Sequence, residues 1–292
     1  MNAKDLTAAP PEGAASDWTI DQGWSAYTAE EHRTWVTLYE RQAKILPGRA
    51  ADPFLRGLDA LDLHGEGIPD FRKISESLTK LTGWSVVAVP GLVPDEVFFD
   101  HLANRRFPAG NFIRKADQLD YLQEPDVFHD VYGHVPMLTD PVFADYMQAY
   151  GKGGQRAMGK GQLHNLARLY WYTVEFGLMN TPEGLRIYGA GIVSSRTESI
   201  FALEDPSPNR IAFDLERVMR TLYRIDDFQQ VYFVIDSLQS LFDATQQDFG
   251  PIYDRLKGAG DIPVEAVVDG DRVLTRGTQA YAGAGGRLAA AE

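Results

Sequence analysis

His129 and His134 stand five residues apart in the stretch Pro-Asp-Val-Phe-His-Asp-Val-Tyr-Gly-His-Val-Pro (residues 125–136), and that interval constrains the backbone more than any other feature. Five residues of α-helix turn through roughly 500°, which leaves the two imidazoles about 140° apart around the axis. A regular helix therefore points them away from each other. Gly133 permits a turn and Pro136 ends the helical run, so the chain is expected to bend and return His134 toward His129. In the His-Glu-x-x-His helix of zinc proteases the i, i+4 histidines share one face, and this spacing differs from theirs.

A carboxylate follows in a second unusual setting. Glu175 lies within Leu-Tyr-Trp-Tyr-Thr-Val-Glu-Phe-Gly (residues 169–177), an apolar aromatic stretch where a buried charge is costly unless paired or metal-bound. Two imidazoles and one carboxylate are the facial ligand set of non-haem Fe(II) centres that activate dioxygen, with the opposite face open. If His129, His134 and Glu175 converge, the chain is an oxygenase. Spacing alone leaves two other readings open. Each residue can be a hydrogen-bonded structural group. The same three ligands can also serve a zinc hydrolase, although no Glu sits in a His-Glu-x-x-His arrangement to act as its base. His32, His64, His101 and His164 have no comparable context and read as surface or capping residues.

Charge and composition narrow the partners. A net charge of −13 over 292 residues argues against nucleic acid and anionic membranes, which need clustered Lys and Arg. The sequence has no cysteine, which excludes disulfides, thiolate metal sites and a cysteine nucleophile. No apolar run approaches the roughly 20 residues that span a bilayer, and residues 1–17 lack the apolar core of a signal peptide. A cytoplasmic location is expected.

Residues 1–17 read as a flexible leader, 18–276 as one catalytic domain and 277–292 as a flexible Gly/Ala tail. The body is expected to be mainly α with a few short strands, without the regular β/α alternation of a doubly wound fold. Thr28 and Glu31 form a capping box before a helix whose face is Trp35, Leu38, Tyr39, Gln42 and Ile45, stopped by Pro47-Gly48. Asp70 caps a second helix closed by Gly83, residues 84–89 suit a strand, and Pro94-Asp95 opens a short helix. Further helices are expected over 141–150, 163–178, 211–222 and 237–256, and strands over 185–188 and 264–274, the last turning at Asp269-Gly270.

Residues 125–136, 170–178 and Tyr-Gly-Ala-Gly-Ile-Val-Ser-Ser (188–195) together closely resemble the pterin-dependent aromatic amino acid hydroxylases, the bacterial phenylalanine 4-hydroxylases nearest. The similarity runs in order from about residue 91 to 242. It implies a mostly helical catalytic domain with Fe(II) held by His129, His134 and Glu175. It also implies a tetrahydropterin cosubstrate, O2, and conversion of L-phenylalanine to L-tyrosine through an Fe(IV)-oxo oxidant that attacks the ring. The protein's share would be to hold open metal positions, align the ring and exclude water.

The same resemblance distributes further roles. Arg114 would bind the substrate carboxylate with its planar fork, oriented by Asp126, for which a simple helix cap is the other reading. Pro125, His129 and Trp171 would line the ring pocket, Gly191 and Ser194 would flank the substrate's backbone end, and Glu198 would support the metal ligands. In the loop of residues 91–98, backbone groups of Leu92 and Val93 would bond the pterin edge and Phe98 would stack on its ring, where helical spacing alone suggests core. Ala167 would pack near the pterin, Asp130 would reach it through water, and Tyr170 would stand close to iron. An apolar residue at Val234 favours phenylalanine over tyrosine as substrate. Leu122 stands where the animal enzymes carry threonine. A monomer is expected, because the animal family's regulatory domain and tetramerising helix have no counterpart in the sequence.

Overall fold

The computed structural model describes residues 9–120 and 124–283, so Leu122 lies outside the described residues. Thr28 caps α1 (Ala29–Ile45) reciprocally: its hydroxyl accepts from Glu31 N, and the Glu31 carboxylate accepts from Thr28 N at 2.7 Å. A cap of this kind stabilises a helix by about 1 kcal/mol. Trp35, Leu38 and Gln42 are buried along one face of α1. After α2 (Asp52–Ala60), Asp70 caps α3 (Phe71–Thr82) and Gly83 closes it in the left-handed region at φ 77°. Strand β1 (Ser85–Val89) crosses through α4 (Asp95–Ala103) to β2 (Arg106–Gly110), and the two strands pair in parallel.

Helix α5 (Pro141–Lys160) is 20 residues long, twice its expected length, and runs through Gly151, Gly153, Gly154 and Gly159. Two of these glycines let it lie against α4. A Cβ on Gly151 would stand 2.4 Å from the backbone nitrogen of Ala103, and one on Gly154 would stand 2.0 Å from the Phe99 ring. Packing thus outweighs the roughly 1 kcal/mol that each helical glycine costs. Gly151→Ala is expected to destabilise the protein by about 1–3 kcal/mol through overpacking. Among the described residues nothing lies within 4 Å of a Cβ on Gly153, so Gly153→Ala should instead gain up to about 1 kcal/mol. Urea unfolding midpoints of the pair check this, and equal shifts would contradict it.

Helix α6 (Leu163–Tyr170) continues into a π-helical turn, Trp171–Glu175. Next come β3 (Leu178–Thr181), β4 (Gly184–Ile187), α7 (Ala190–Val193), α8 (Arg196–Glu204), β5 (Asn209–Ala212), α9 (Leu215–Arg220) and β6 (Val231–Ile235). The last elements are α10 (Leu238–Thr245), α11 (Phe249–Gly258), β7 (Val273–Thr275) and α12 (Ala280–Gly283). Five strands form a mixed sheet in the order β4-β3-β6-β5-β7. The architecture is mainly α with short strands, as expected. The helix expected over 211–222 is corrected: it begins as β5, and α9 forms only after Asp214 caps it. The helix expected over 237–256 divides in two, because Asp248 accepts from Gly250 N at 2.9 Å and starts α11 afresh. Of the strand expected over 264–274 only the end forms one, as β7 (Val273–Thr275) paired against β5.

One continuous core fixes the histidine segment in place. Phe128 and Tyr132 stack within it at 4.7 Å, with Trp35 edge-on to Phe128 at 5.1 Å and Phe54 edge-on to Tyr132 at 5.8 Å. Asp17 pairs with Arg106 at 3.0 Å at one end of the chain. At the other, Tyr281 packs on Phe201 and Phe228 and donates to Asp227 at 2.7 Å, so packing continues past residue 276. Among the described residues no helix is long and apolar enough to cross a membrane.

Candidate metal centre

Residues Phe128–His134 are π-helical, and this resolves the spacing problem. Hydrogen bonds from i to i+5 set residues five apart nearly one above the other. The expected bend at Gly133 is therefore corrected. Gly133 serves close approach instead: a Cβ there would lie 3.0 Å from the Ala190 carbonyl oxygen of α7. The second π-turn closes with Phe176 N donating to Trp171 O at 2.8 Å and ends on Glu175. Both departures from α-helix thus carry a member of the cluster.

The three side chains converge. His134 Nε2 lies 3.2 Å from His129 Nε2 and 3.2 Å from Glu175 Oε1, and His129 Nε2 lies 3.5 Å from Glu175 Oε2. It is the one group of three or more potential metal ligands among the described residues. Ser194 decides the tautomer of His129. Its hydroxyl donates to Ala190 O at 2.7 Å, so at 3.0 Å it accepts from His129 Nδ1–H. With Nδ1 so engaged, Nε2 is the ring nitrogen that faces the cluster and is left to serve as a metal ligand. One donor atom from each of the three residues lies within 4.8 Å of the other two, close enough for all three to bind one divalent cation. Burial works to raise the Glu175 carboxyl, but the His134 and His129 imidazoles beside it prevail and hold it below the carboxylate range. His134 is buried between the rings of Phe107, 5.0 Å away, and Tyr170, 6.1 Å away.

Arg114 and Asp126 form a buried two-pronged pair, Nε to Oδ2 and Nη2 to Oδ1, both 2.8 Å. Asp126 also accepts from His129 N at 3.0 Å, so it both orients the arginine and caps the histidine segment. Burial raises the Asp126 carboxyl, and the Arg114 guanidinium outweighs that and holds it below its usual range. Among the described residues Arg114 Nη1 has only a 3.4 Å bond to Leu119 O, and that edge of the fork faces no carboxylate there.

The other expected site residues fall in several places. Phe98, half-buried, meets Tyr170 edge-on at 5.8 Å, one ring removed from His134. Asp130 accepts from Gly110 N at 2.7 Å and so ties the histidine segment to the end of β2. Val93, Ala167 and Pro125 are half-buried, and Leu92 is exposed with its N–H toward Glu124 at 3.4 Å. Gly191 sits where a Cβ would be 3.0 Å from the Phe176 ring and 3.2 Å from the Glu175 carbonyl oxygen. Val234 is buried at the middle of the sheet between Leu178 and Ala212. The support expected of Glu198 is not a direct bond. Glu198 bonds none of the three ligands among the described residues, because its position in the first turn of α8 directs it to the Tyr232 hydroxyl and Gln229 N. Sequence reasoning missed Ser194 as the partner of His129, Phe107 beside His134, and Gln229 on Trp171, all long-range contacts with no spacing signal.

Burial pushes the Glu198 carboxyl up to about 7, despite the bond from Tyr232. The folded state then keeps a proton that the unfolded chain releases near its ordinary value, so stability falls as pH rises through that window. Glu198→Gln should remove this dependence. Its advantage over wild type is expected to grow by roughly 3 kcal/mol between pH 5 and pH 8, read from unfolding curves. A constant difference would contradict the shift.

A cavity of about 330 Å³ lies between α5, α6 and the 245–250 turn, and none of the three cluster residues lines it, so the chemistry is not assigned there.

Comparison with known proteins follows the same geometry. A family model described as "Biopterin-dependent aromatic amino acid hydroxylase" matches residues 23–253. The chain is 76% identical over 291 residues to the phenylalanine-4-hydroxylase of Caulobacter vibrioides, covering 100% of this chain and 99% of that protein. It is 60% identical to that of Chromobacterium violaceum over 88% of this chain and 89% of the relative. A crystal structure of the Chromobacterium violaceum enzyme with iron and phenylalanine bound superposes with a TM-score of 0.86 at 55% identity, over 92% of this chain and 97% of that one. Another, with iron(III) and oxidised 7,8-dihydrobiopterin, gives 0.86 at 59% identity over 89% and 94%.

Proposed function

The chain belongs to the biopterin-dependent aromatic amino acid hydroxylase family, and from that premise we propose that His129, His134 and Glu175 hold the iron of a phenylalanine 4-monooxygenase. The observation that carries the reading is the convergence of both imidazole Nε2 atoms and the Glu175 carboxylate at contacts of 3.2 to 3.5 Å, with His129 Nδ1 engaged by Ser194. The enzyme hydroxylates L-phenylalanine to L-tyrosine with O2, ferrous iron and a tetrahydropterin. Bound together, iron and tetrahydropterin supply the open coordination positions and the electrons with which dioxygen is reduced and one oxygen delivered to the ring.

The protein's own residues position and enclose. Arg114, rigidly aligned by Asp126, binds the substrate carboxylate through the edge of its fork that Asp126 does not occupy. Pro125 and Trp171 form the walls for the ring, and Gly191 and Ser194 flank the substrate's backbone end. The Ser194 hydroxyl is largely committed to His129 and Ala190, so its main work is to hold the imidazole. Phe98, Leu92, Val93, Ala167 and Asp130 are the residues that would hold the pterin, Phe98 offering its ring face, Leu92 and Val93 their backbone groups, and Asp130 a contact through water. Phe107 and Tyr170 shield His134 from solvent. We place the enzyme in the cytoplasm as a monomer, and sedimentation is expected to give one species of 32.5 kDa.

The test is tyrosine formation from phenylalanine with ferrous ion and tetrahydrobiopterin, in air and under argon. Product is expected only in air and only with the pterin. Equal yield under argon would contradict an oxygenase. Tryptophan turned over as fast as phenylalanine would overturn the substrate.

A further inference from the structure

Gln229 lies in the connection between α9 and β6, 58 residues from Trp171, yet the two are bonded. Its side chain is 2% exposed. Oε1 accepts from the indole Nε1–H of Trp171 at 3.0 Å, while Nε2 donates to Arg224 O at 2.8 Å and Asp227 O at 3.3 Å. An indole nitrogen only donates and a carbonyl only accepts, so this position requires one group that does both. A primary amide meets the requirement. The backbone N–H of Gln229 donates to Glu198 Oε1 at 3.4 Å, and that carboxyl is held in turn by Tyr232. Tyr223, from the same connection, stacks on the Trp171 ring with centroids 4.4 Å apart and planes 21° apart. Trp171 is therefore held by its edge and by its face from one segment. It also opens the π-turn that ends on Glu175, so indole and metal ligand share a five-residue turn.

We propose that Gln229 is a positioning residue for the hydroxylation: by fixing the Trp171 indole it sets the width of the acceptor-ring pocket and the place of the ring relative to the iron. The inference rests on the proposed function, with Trp171 as a pocket wall. Its loss lets the indole rotate, so larger rings enter and phenylalanine sits less well aligned when the pterin is oxidised.

The test compares wild type, Gln229→Met and Trp171→Phe, with phenylalanine and tryptophan as substrates, reading kcat, KM and tyrosine formed per tetrahydropterin oxidised. Gln229→Met preserves length and removes every hydrogen bond of the amide. It is expected to lower kcat/KM for phenylalanine by about tenfold or more, to narrow the preference over tryptophan by a similar factor, and to reduce tyrosine per pterin, with iron content unchanged. Trp171→Phe, which keeps a ring and removes the indole donor, should lower tyrosine per pterin in the same way even if Gln229→Met does not fold. The double variant should add little to either. Wild-type preference and wild-type tyrosine per pterin in both single variants, with wild type itself active, would overturn this inference alone. A wild-type protein that forms no tyrosine would overturn the underlying function and the inference with it.

Discussion

Glu175→Gln is expected to abolish stoichiometric iron binding and, with it, tyrosine formation. The carboxylate faces both imidazole nitrogens at 3.2 and 3.5 Å, and those imidazoles keep it ionised despite burial. A neutral amide keeps the shape and loses the charge that a hard cation needs, so affinity should fall by at least about a hundredfold. Iron per chain after anaerobic loading and dialysis reads this directly. Wild type should hold close to one equivalent and the variant a small fraction. A purely structural cluster gives a different pattern: neither protein would hold iron, and the substitution would change only stability.

Arg114→Lys is expected to raise the KM for phenylalanine by about a hundredfold, with kcat changed far less. The lysine keeps a cation beside Asp126 and loses the fork that grips a carboxylate with two parallel bonds. Lysine is the informative substitution here. Arg114→Ala would strand Asp126, which is fully buried, as an unpaired charge and destabilise the fold by about 3–5 kcal/mol. Its loss of activity could then not be separated from unfolding. Steady-state kinetics and a melting midpoint on the lysine variant suffice. An unchanged KM would move the carboxylate site elsewhere.

Which parts of the fold were legible follows from where the information lies. Local chemistry was readable: the Thr28–Glu31 box, the Asp70 cap and the Gly83 stop all fall where their side chains demand. The convergence of the three ligands was also readable, though its cause was not. A π-turn has no compositional mark, and Gly133 looks like a bend while serving contact with Ala190. Strand β6, Val-Tyr-Phe-Val-Ile, is buried at every position, so its apolar run carries no period that separates strand from helix. The helix expected over 141–150 runs on through the glycines of α5, and only the surface of α4 shows why. Pairs such as His129–Ser194 and Trp171–Gln229 lie 65 and 58 residues apart and exist only once the chain is folded.

X-ray absorption at the iron edge of the ferrous protein, prepared without oxygen, tests the central claim most directly. Two imidazole nitrogens and a carboxylate oxygen in the coordination sphere, with the remaining positions filled by water, are the expected result. Coordination lacking imidazole, or iron that washes away from the wild-type protein, would contradict it.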